Sequence, residues 1–390
     1  MRVAHIITRM SIGGAQENTF YNCRDLVRDF GDEVLLITGP AEGPEGALLE
    51  QVRGEFTVQI VPELIRSISP WHDWRAYASL KRILREFRPD VVHTHSAKGG
   101  MLGRTAAWAV GVPAIVHTVH GAPFGDYEPW LRRRFYQACE RFAAKRCHAL
   151  ISVAEAMTDL MVAARVAPRE KFTTAFSGME IEPFLNADCH REAMRRRLGF
   201  ASSDVVVGKI ARLFPLKGHD DFLAAASVAA RSTPNLKFLL VGDGILRERL
   251  EAKAAAAGLT ERVTFAGLVP PAEVPAYLGA MDLLVHTSLR EGLARALPQA
   301  LLAGKPVIAY DVDGAREVVL PDLTGILLPA GDIAGLTAAM RRLAEDADLR
   351  AGLGAEGRRR FEDQFRHERM TAEIRRLYLR LLGDSRTSRS

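Results

Sequence analysis

The densest grouping of chemically competent residues lies in the second half of the chain. There an apolar run at 283–286 ends in Thr287-Ser288-Leu289-Arg290-Glu291-Gly292-Leu293. Such a run reads as a buried strand, and a helical pattern follows it through residue 300. Glu291 then sits on a loop at the carboxyl end of a strand, and Gly292 lets a ligand approach the backbone closely. The amides of Gly292, Leu293 and Ala294 fall at or near a helix N-terminus, where they can donate to an anion or a hydroxyl. A carboxylate beside donating amides suits a polyhydroxylated ligand, because it accepts hydroxyl protons while the amides donate to oxygens. Gln299 follows Glu291 by eight residues, two turns into the helix. The plainer reading of Glu291 is a helix-start carboxylate favoured by the dipole.

A second group is Arg212 and Lys217, which flank the turn after an apolar run at 205–210. Two cations at the first β-α turn of a domain make a clamp for a diphosphate, Arg as a bidentate fork and Lys as a point charge. Solvated surface cations are the competing reading. A third is the turn Ser11-Ile12-Gly13-Gly14-Ala15 after the first strand. It is glycine-rich but lacks the G-x-G-x-x-G pattern, and no acidic residue ends the second strand, as a nicotinamide dinucleotide site would require. It reads equally as an anion site or a plain tight turn. The fourth group is histidine: His93 and His95 at one strand end, His117 and His120 at the next. Alternation puts His93 and His95 on one face. Without H-x-x-x-H spacing or a cysteine pair they do not make a zinc motif. His93, His95 and His117 read as satisfied core histidines, and His120 as a ligand-facing imidazole just past its strand.

These residues need strands and helices to hold them, and the chain alternates accordingly. In the first half, strands are expected at 3–8, 34–38, 56–61, 90–95, 113–118 and 150–153, with helices at 15–30 and 73–87. The rhythm restarts with strands at 205–210, 236–241, 263–266, 283–286 and 306–310, and helices at 220–230 and 246–257. The strands are continuous apolar runs, as in parallel sheets covered on both faces. Two sets of alternation imply an α/β chain with two Rossmann-like, doubly wound domains, whose ligands bind beyond the strand C-termini. A linker is expected at 182–203, which carries Pro183, Asn186 and the basic run 191–197. A long charged helix is expected at 367–382.

Length and composition agree with this. At about 150 residues per domain, 390 residues give two domains. A hydrophobic share of 48% with 25% charged residues excludes a disordered chain. A net charge of +5 is too small a bias to imply nucleic acid. The four scattered cysteines form no C-x-x-C pair and read as free thiols in a reducing cytosol. No targeting pattern or membrane-spanning run is expected. The segment 130–146 is basic and amphipathic, and reads equally as a surface helix or as a face for anionic lipid.

Taken in order, the motifs resemble a known family. They are the Ser11–Ala15 turn, the segment 90–121, Ala211-Arg212-Leu213 with Lys217-Gly218, Val241-Gly242-Asp243-Gly244, Phe265-Ala266-Gly267-Leu268, Glu291-Gly292-Leu293, and Ala303-Gly304-Lys305-Pro306-Val307. Together they resemble retaining glycosyltransferases of family 4, of the bacterial polysaccharide and glycolipid type. The likeness runs from Arg2 to about residue 363. It implies the GT-B architecture, two Rossmann-like domains facing across a cleft. Residues 1–190 would form the acceptor domain and 191–365 the nucleotide-sugar domain. A helix at 366–383 would cross back to the first domain, and 384–390 would be a disordered tail.

The resemblance also implies roles. Arg212 and Lys217 would hold the donor diphosphate and Glu291 the donor-sugar hydroxyls. Gly292, Leu293 and Ala294 would lend amides to sugar and phosphate. Gln299 stands where the family usually has a second carboxylate on the nucleotide ribose, and an amide can still accept from one hydroxyl and donate to another. His120 would sit beside the donor sugar, Gly13 and Gly14 on the phosphate and acceptor side, and Leu268 and Val269 near the base. The implied reaction is front-face transfer of a hexose or N-acetylhexosamine from a nucleoside diphosphate sugar, UDP-linked before GDP-linked, to a lipid-linked or cell-surface glycan. It would need no metal and no cofactor beyond the co-substrate. The enzyme would be cytoplasmic, with the inner membrane's anionic surface as a candidate partner and no nucleic acid. Rival readings are a sugar-nucleotide epimerase of the same architecture and a weakly catalytic nucleotide-sugar-binding subunit.

Overall fold

The computed structural model describes residues 1–11, 13–40, 54–125 and 127–387. It contains two compact units, Met1–Met179 with Phe365–Ser390, and Glu180–Gln364.

The first unit is a seven-stranded parallel sheet in the order β3-β2-β1-β4-β5-β6-β7. In chain order it runs β1 (Arg2–Ile7), α1 (Gly14–Arg28), β2 (Glu33–Thr38), β3 (Thr57–Ile60), α2 (Pro70–Phe87), β4 (Val91–His95), α3 (Ala97–Ala109), β5 (Ala114–Val119), α4 (Trp130–Ala144), β6 (Ala149–Ser152), α5 (Glu155–Ala163) and β7 (Phe172–Thr174). Strand order reverses direction between β1 and β4, so the loops after these strands diverge to opposite faces and leave a crevice at their carboxyl ends.

The second unit is a six-stranded sheet in the order β10-β9-β8-β11-β12-β13. It begins with α6 (Glu182–Leu185) and α7 (Arg191–Leu198), then β8 (Val205–Ile210), α8 (His219–Ser232), β9 (Leu236–Val241), α9 (Arg247–Ala256), β10 (Val263–Gly267), α10 (Val274–Ala280), β11 (Leu283–His286), α11 (Ala296–Leu302), β12 (Val307–Tyr310), β13 (Gly325–Leu328), α12 (Ile333–Glu345) and α13 (Ala347–Phe361). Here the reversal falls between β8 and β11, the two strands that lead into Arg212, Lys217 and Glu291.

The final helix α14 (His367–Thr387) belongs to the first unit. Met370, Ile374, Leu377 and Tyr378 enter its apolar core beside Val3, Leu26 and Val116. Polar pins reinforce the burial. His367 Nδ1 and Thr371 Oγ1 lie 2.8 and 2.9 Å from Asp25 Oδ2, and Arg375 Nε donates to Asp32 Oδ2 at 2.9 Å.

Three expectations need correction. The first unit ends at Met179 rather than residue 190, and the second at Gln364. The segment 182–203 is not a linker, because two of its arginines are structural. Arg195, 5% exposed, reaches Asp282 at 3.3 Å and the Ala201 carbonyl at 2.8 Å, and Arg191 donates to the Gly279 and Met281 carbonyls. The mostly shielded Asp282 carboxylate and the carbonyls at the end of α10 take those cations, which fixes the segment to the second unit. Helix α14 also extends to Thr387, into the expected tail, whose residues 388–390 lie outside the described residues.

Candidate active site

In the second unit the loop after β8 makes a tight turn. Leu216 and Gly218 both have positive φ, 67° and 64°. A Cβ at Gly218 would stand 1.9 Å from the Thr287 carbonyl oxygen, so only glycine fits. Thr287 Oγ1 donates to the Gly218 carbonyl at 2.6 Å, and the Leu289 amide to the Leu216 carbonyl at 2.8 Å. The β8 and β11 loops are thereby laced together. The loop after β9 supports them from the other side. The Leu213 amide donates to the Asp243 carbonyl at 2.9 Å, and a Cβ on Gly242 would meet the Ala211 carbonyl oxygen at 2.1 Å.

This lacing brings Lys217 onto Glu291, its Nζ donating to Glu291 Oε1. His286, the last residue of β11, lies 3.7 Å from the same oxygen through Nε2. Burial would raise the Glu291 carboxyl, but Lys217 and then His286 outweigh it and hold its pKa below the usual carboxylate value. Burial pushes His286 down to about 3, against the pull of Glu291, so its ring is neutral. Below them Lys209 is buried on β8, its Nζ donating to Thr287 Oγ1 at 2.8 Å. Burial, then repulsion from Lys217, lowers Lys209 to about 7. Arg212 is exposed, its guanidinium 5.2 Å from the Phe214 ring centre, with no carboxylate partner among the described residues.

The Glu291 amide donates to Asp313 Oδ2 at 2.6 Å, and the Gly314 amide to the Gly292 carbonyl at 3.0 Å. The β12 loop therefore shapes the Glu291 loop, and Asp313 holds a φ of 50° to do it. Helix α11 starts only at Ala296. The amides of Gly292, Leu293 and Ala294 thus precede the helix, and none donates to a protein acceptor among the described residues. Gln299 is one turn into α11, not two, and half-buried. Leu268 is 57% exposed just after β10, with Val269 beside it. The second unit therefore gathers Arg212, Lys217, Glu291 and the three amides on the loops flanking its reversal point, with Gln299 on the helix that follows Glu291 and Leu268 and Val269 two strands away. Lys209, His286, Thr287 and Asp313 were not anticipated. Lys209 interrupts an apolar run, the one sequence signal that marked it.

The first unit holds the rest. Gly13 caps α1 and Gly14 opens it after β1, while Ile12 of that turn lies outside the described residues. Gly13 has an extended φ of 165°, so its turn needs no left-handed residue. His120 follows β5 and is half-buried. Its Nε2 is 3.1 Å from His95 Nδ1, and His95 Nε2 is 3.1 Å from His5 Nδ1. His93 and His117 are core residues as expected, buried and engaged. His93 contacts the Tyr378 and Thr118 hydroxyls at 2.5 and 2.6 Å, and His117 contacts Thr94 Oγ1 at 2.9 Å. His5, His93 and His95 bring ligand atoms within 4.8 Å of one another, a set that could hold a metal. The fit is poor, because both His93 nitrogens are taken by hydroxyls. Burial lowers His5 to about 3 and lowers His93, His95 and His117 as well, so all are neutral.

A two-unit parallel α/β chain with a carboxylate, two cations and bare amides at a strand-order reversal is equipped to bind an anionic, hydroxyl-rich ligand. Residues 190–360 match the family model for glycosyl transferases group 1, and residues 13–175 that for a glycosyl transferase 4-like domain. A 2-deoxystreptamine glucosyltransferase of Streptomyces kanamyceticus is 30% identical over 70% of this chain and 73% of its own. The Escherichia coli UDP-Gal:alpha-D-GlcNAc-diphosphoundecaprenol alpha-1,3-galactosyltransferase is 28% identical over 90% of this chain and 89% of its own. Among solved structures, Anabaena HepE in complex with UDP superposes with a TM-score of 0.81 at 23% identity, covering 97% of this chain and 99% of that one. The architecture is GT-B. The chain belongs to the GT4-type glycosyltransferases, and is an enzyme of the hexosyltransferase class.

Proposed function

We propose that the enzyme moves a hexose or N-acetylhexosamine from a nucleoside diphosphate sugar to a hydroxyl of a lipid-linked or growing cell-surface glycan, with retention. The observation that carries this is the Lys217–Glu291 pair at the β8/β11 reversal, with the exposed Arg212 on the same β8 loop and three amides that donate to no protein acceptor among the described residues. The cations suit a diphosphate, and the carboxylate and amides suit sugar hydroxyls. UDP is favoured as the nucleotide, since the Escherichia coli relative is named for UDP-Gal and HepE was crystallised with UDP. In the front-face reaction the acceptor oxygen bonds to the anomeric carbon on the side from which the diphosphate departs. The carbon–oxygen bond to the phosphate breaks, and the departing phosphate oxygen takes the acceptor's proton. Arg212 and Lys217 stabilise the charge that develops there, which makes a metal unnecessary. Glu291 orients the sugar and His120 donates to it. Gln299 binds the ribose.

The acceptor reading draws on the same relative, whose name specifies a diphosphoundecaprenol-linked acceptor. It also draws on α4, where Trp130, Leu131 and Phe135 are 58%, 72% and 54% exposed among arginines. Arg134 lies 5.3 Å from the Trp130 ring centre. Exposed aromatics with cationic neighbours suit an anionic bilayer surface. No helix among the described residues is long and apolar enough to cross a membrane. We place the enzyme at the cytoplasmic face as a peripheral protein.

The test offers UDP-glucose, UDP-galactose and UDP-N-acetylglucosamine, each with an undecaprenyl-diphosphate sugar in anionic vesicles, and reads product anomeric configuration by NMR. An α-linked product from an α-linked donor supports the reading. An inverted product, or an epimerised donor without acceptor, overturns it. Loss of vesicle binding in Leu131→Ser/Phe135→Ser is expected, and unchanged binding sinks the membrane part.

A further inference from the structure

His120 does not stand alone. Its ring is the outer member of a file of three imidazoles, His5, His95 and His120, joined by two nitrogen–nitrogen contacts of 3.1 Å. The inner two are fully buried. The rings of His5 and His95 lie nearly parallel, at 15° with centres 5.3 Å apart, and those of His95 and His120 at 28° and 5.4 Å. A neutral imidazole has one N–H and one lone pair. The file therefore has two self-consistent arrangements, each passing one donor from ring to ring in the same sense.

The inner end decides between them. His5 Nε2 is buried and has no protein hydrogen-bond partner among the described residues. If His120 donated inward, His95 would donate to His5 Nδ1, and the proton of His5 would be left on Nε2, an N–H buried without an acceptor. If His5 donates outward from Nδ1, only a lone pair is left bare at Nε2. Orphaned buried N–H groups are rarer and costlier than bare acceptors. His93 cannot repair the inward arrangement, because its nitrogens are engaged by Tyr378 and Thr118. The outward sense therefore wins. His5 Nδ1–H donates to His95 Nε2, and His95 Nδ1–H donates to His120 Nε2.

We propose that His5 and His95 are positioning residues that fix His120 with its proton on Nδ1. This rests on the role given to His120 above and sharpens it. His120 then serves as a hydrogen-bond donor through Nδ1, and its Nε2 lone pair is occupied by His95. It is not the base that takes the acceptor's proton, which goes to the departing phosphate oxygen. The control point sits on β1 and β4, in the sheet rather than on the loop, so the donor is held by rigid elements.

The test is a long-range proton–nitrogen NMR correlation on the full-length protein labelled at histidine nitrogens, without ligand. His120→Gln and His95→Gln spectra supply assignments. The expected result is the Nδ1–H pattern for His5, His95 and His120. An Nε2–H pattern for His120 overturns the proposal whether or not the enzyme transfers sugar. An Nδ1–H pattern in a protein that transfers nothing leaves it standing and removes the function reading instead. Zinc that moves the His5, His93 and His95 signals together also overturns it, by making the file a metal site.

Kinetics adds a second readout. His95→Asn places an amide where Nδ1 was and can still donate to His120. His95→Gln places it where Nε2 was and cannot. The expected kcat loss is about tenfold for His95→Gln, one charge-neutral hydrogen bond in an oriented donor. His95→Asn is expected to recover most of it at unchanged donor KM. Equal losses in the two variants overturn the relay in favour of simple packing.

Discussion

Replacing Glu291 by Gln should push nucleotide binding and turnover in opposite directions. Lys217 is bonded to Glu291, and both side chains are mostly shielded, at 17% and 23% exposure. A diphosphate must compete with that carboxylate for the ammonium. A charged hydrogen bond of this kind contributes about 1.5–3 kcal/mol, and a neutral amide retains about half of it. The variant therefore releases about 1 kcal/mol of Lys217's affinity to the incoming phosphate, tightening UDP about fivefold. It also removes the repulsion between the Glu291 carboxylate and the diphosphate. The sugar loses its charged acceptor, so transfer should fall about a hundredfold in kcat. The assay is calorimetric titration of UDP beside initial-rate transfer. UDP binding weakened tenfold with turnover intact would refute the reasoning, because Glu291 would then be holding the phosphate site together and contacting no sugar.

Other perturbations follow from the same geometry. Gly218→Ala, with a left-handed φ and a Cβ 1.9 Å from a carbonyl oxygen, should cost about 2–4 kcal/mol in chemical denaturation and abolish UDP binding. A cost under about 0.5 kcal/mol would contradict the lacing of the two loops. Acid should destabilise the protein early. His5 and His286 are held near 3 from a usual 6.5, so the unfolded chain binds more protons than the native one across that window. Stability then falls as pH drops from 6.5, by at most about 2 kcal/mol per ring at pH 5. A flat Tm between pH 7 and 5 would contradict it. Glu291, held below its usual 4.5, adds stability above that value that is lost only further down, as pH falls through its native pKa. Gln299→Glu should tighten the donor sugar-nucleotide about fivefold by exchanging a neutral for a charged acceptor. No change in KM would mean that Gln299 does not touch the ribose.

Much of the second unit's sheet was legible because its strands are apolar on both faces. The runs at 205–210, 236–241 and 283–286 coincide with β8, β9 and β11. The loops after β8 and β11 inherit their place from those strands, so the position of Arg212, Lys217 and Glu291 on those loops could be read from sequence. Helix α3 could not. Its Ala-Lys-Gly-Gly-Met-Leu-Gly opening reads as a loop by propensity, yet a Cβ on Gly100 would stand 2.4 Å from the His117 ring. Tertiary packing overrides propensity there. The segment 182–203 read as a linker because the partners of Arg191, Asp282 and the carbonyls at the end of α10, lie some ninety residues away. The histidine file escaped for the same reason. His5 precedes His95 by ninety residues, and only the β1–β4 pairing, which sets His5 opposite His93, brings it alongside.

The central claim is that the β8 and β11 loops form a nucleoside diphosphate clamp. The most direct measurement is a thermal-shift panel of UDP, GDP, ADP and TDP with their sugar conjugates, run on the wild type and on Arg212→Ala. A nucleotide at a hundred times its Kd should add about 2.7 kcal/mol of stability. The expected result is stabilisation by UDP and its sugars in the wild type and its loss in Arg212→Ala. Equal stabilisation of both proteins, or none by any nucleotide, would contradict the clamp.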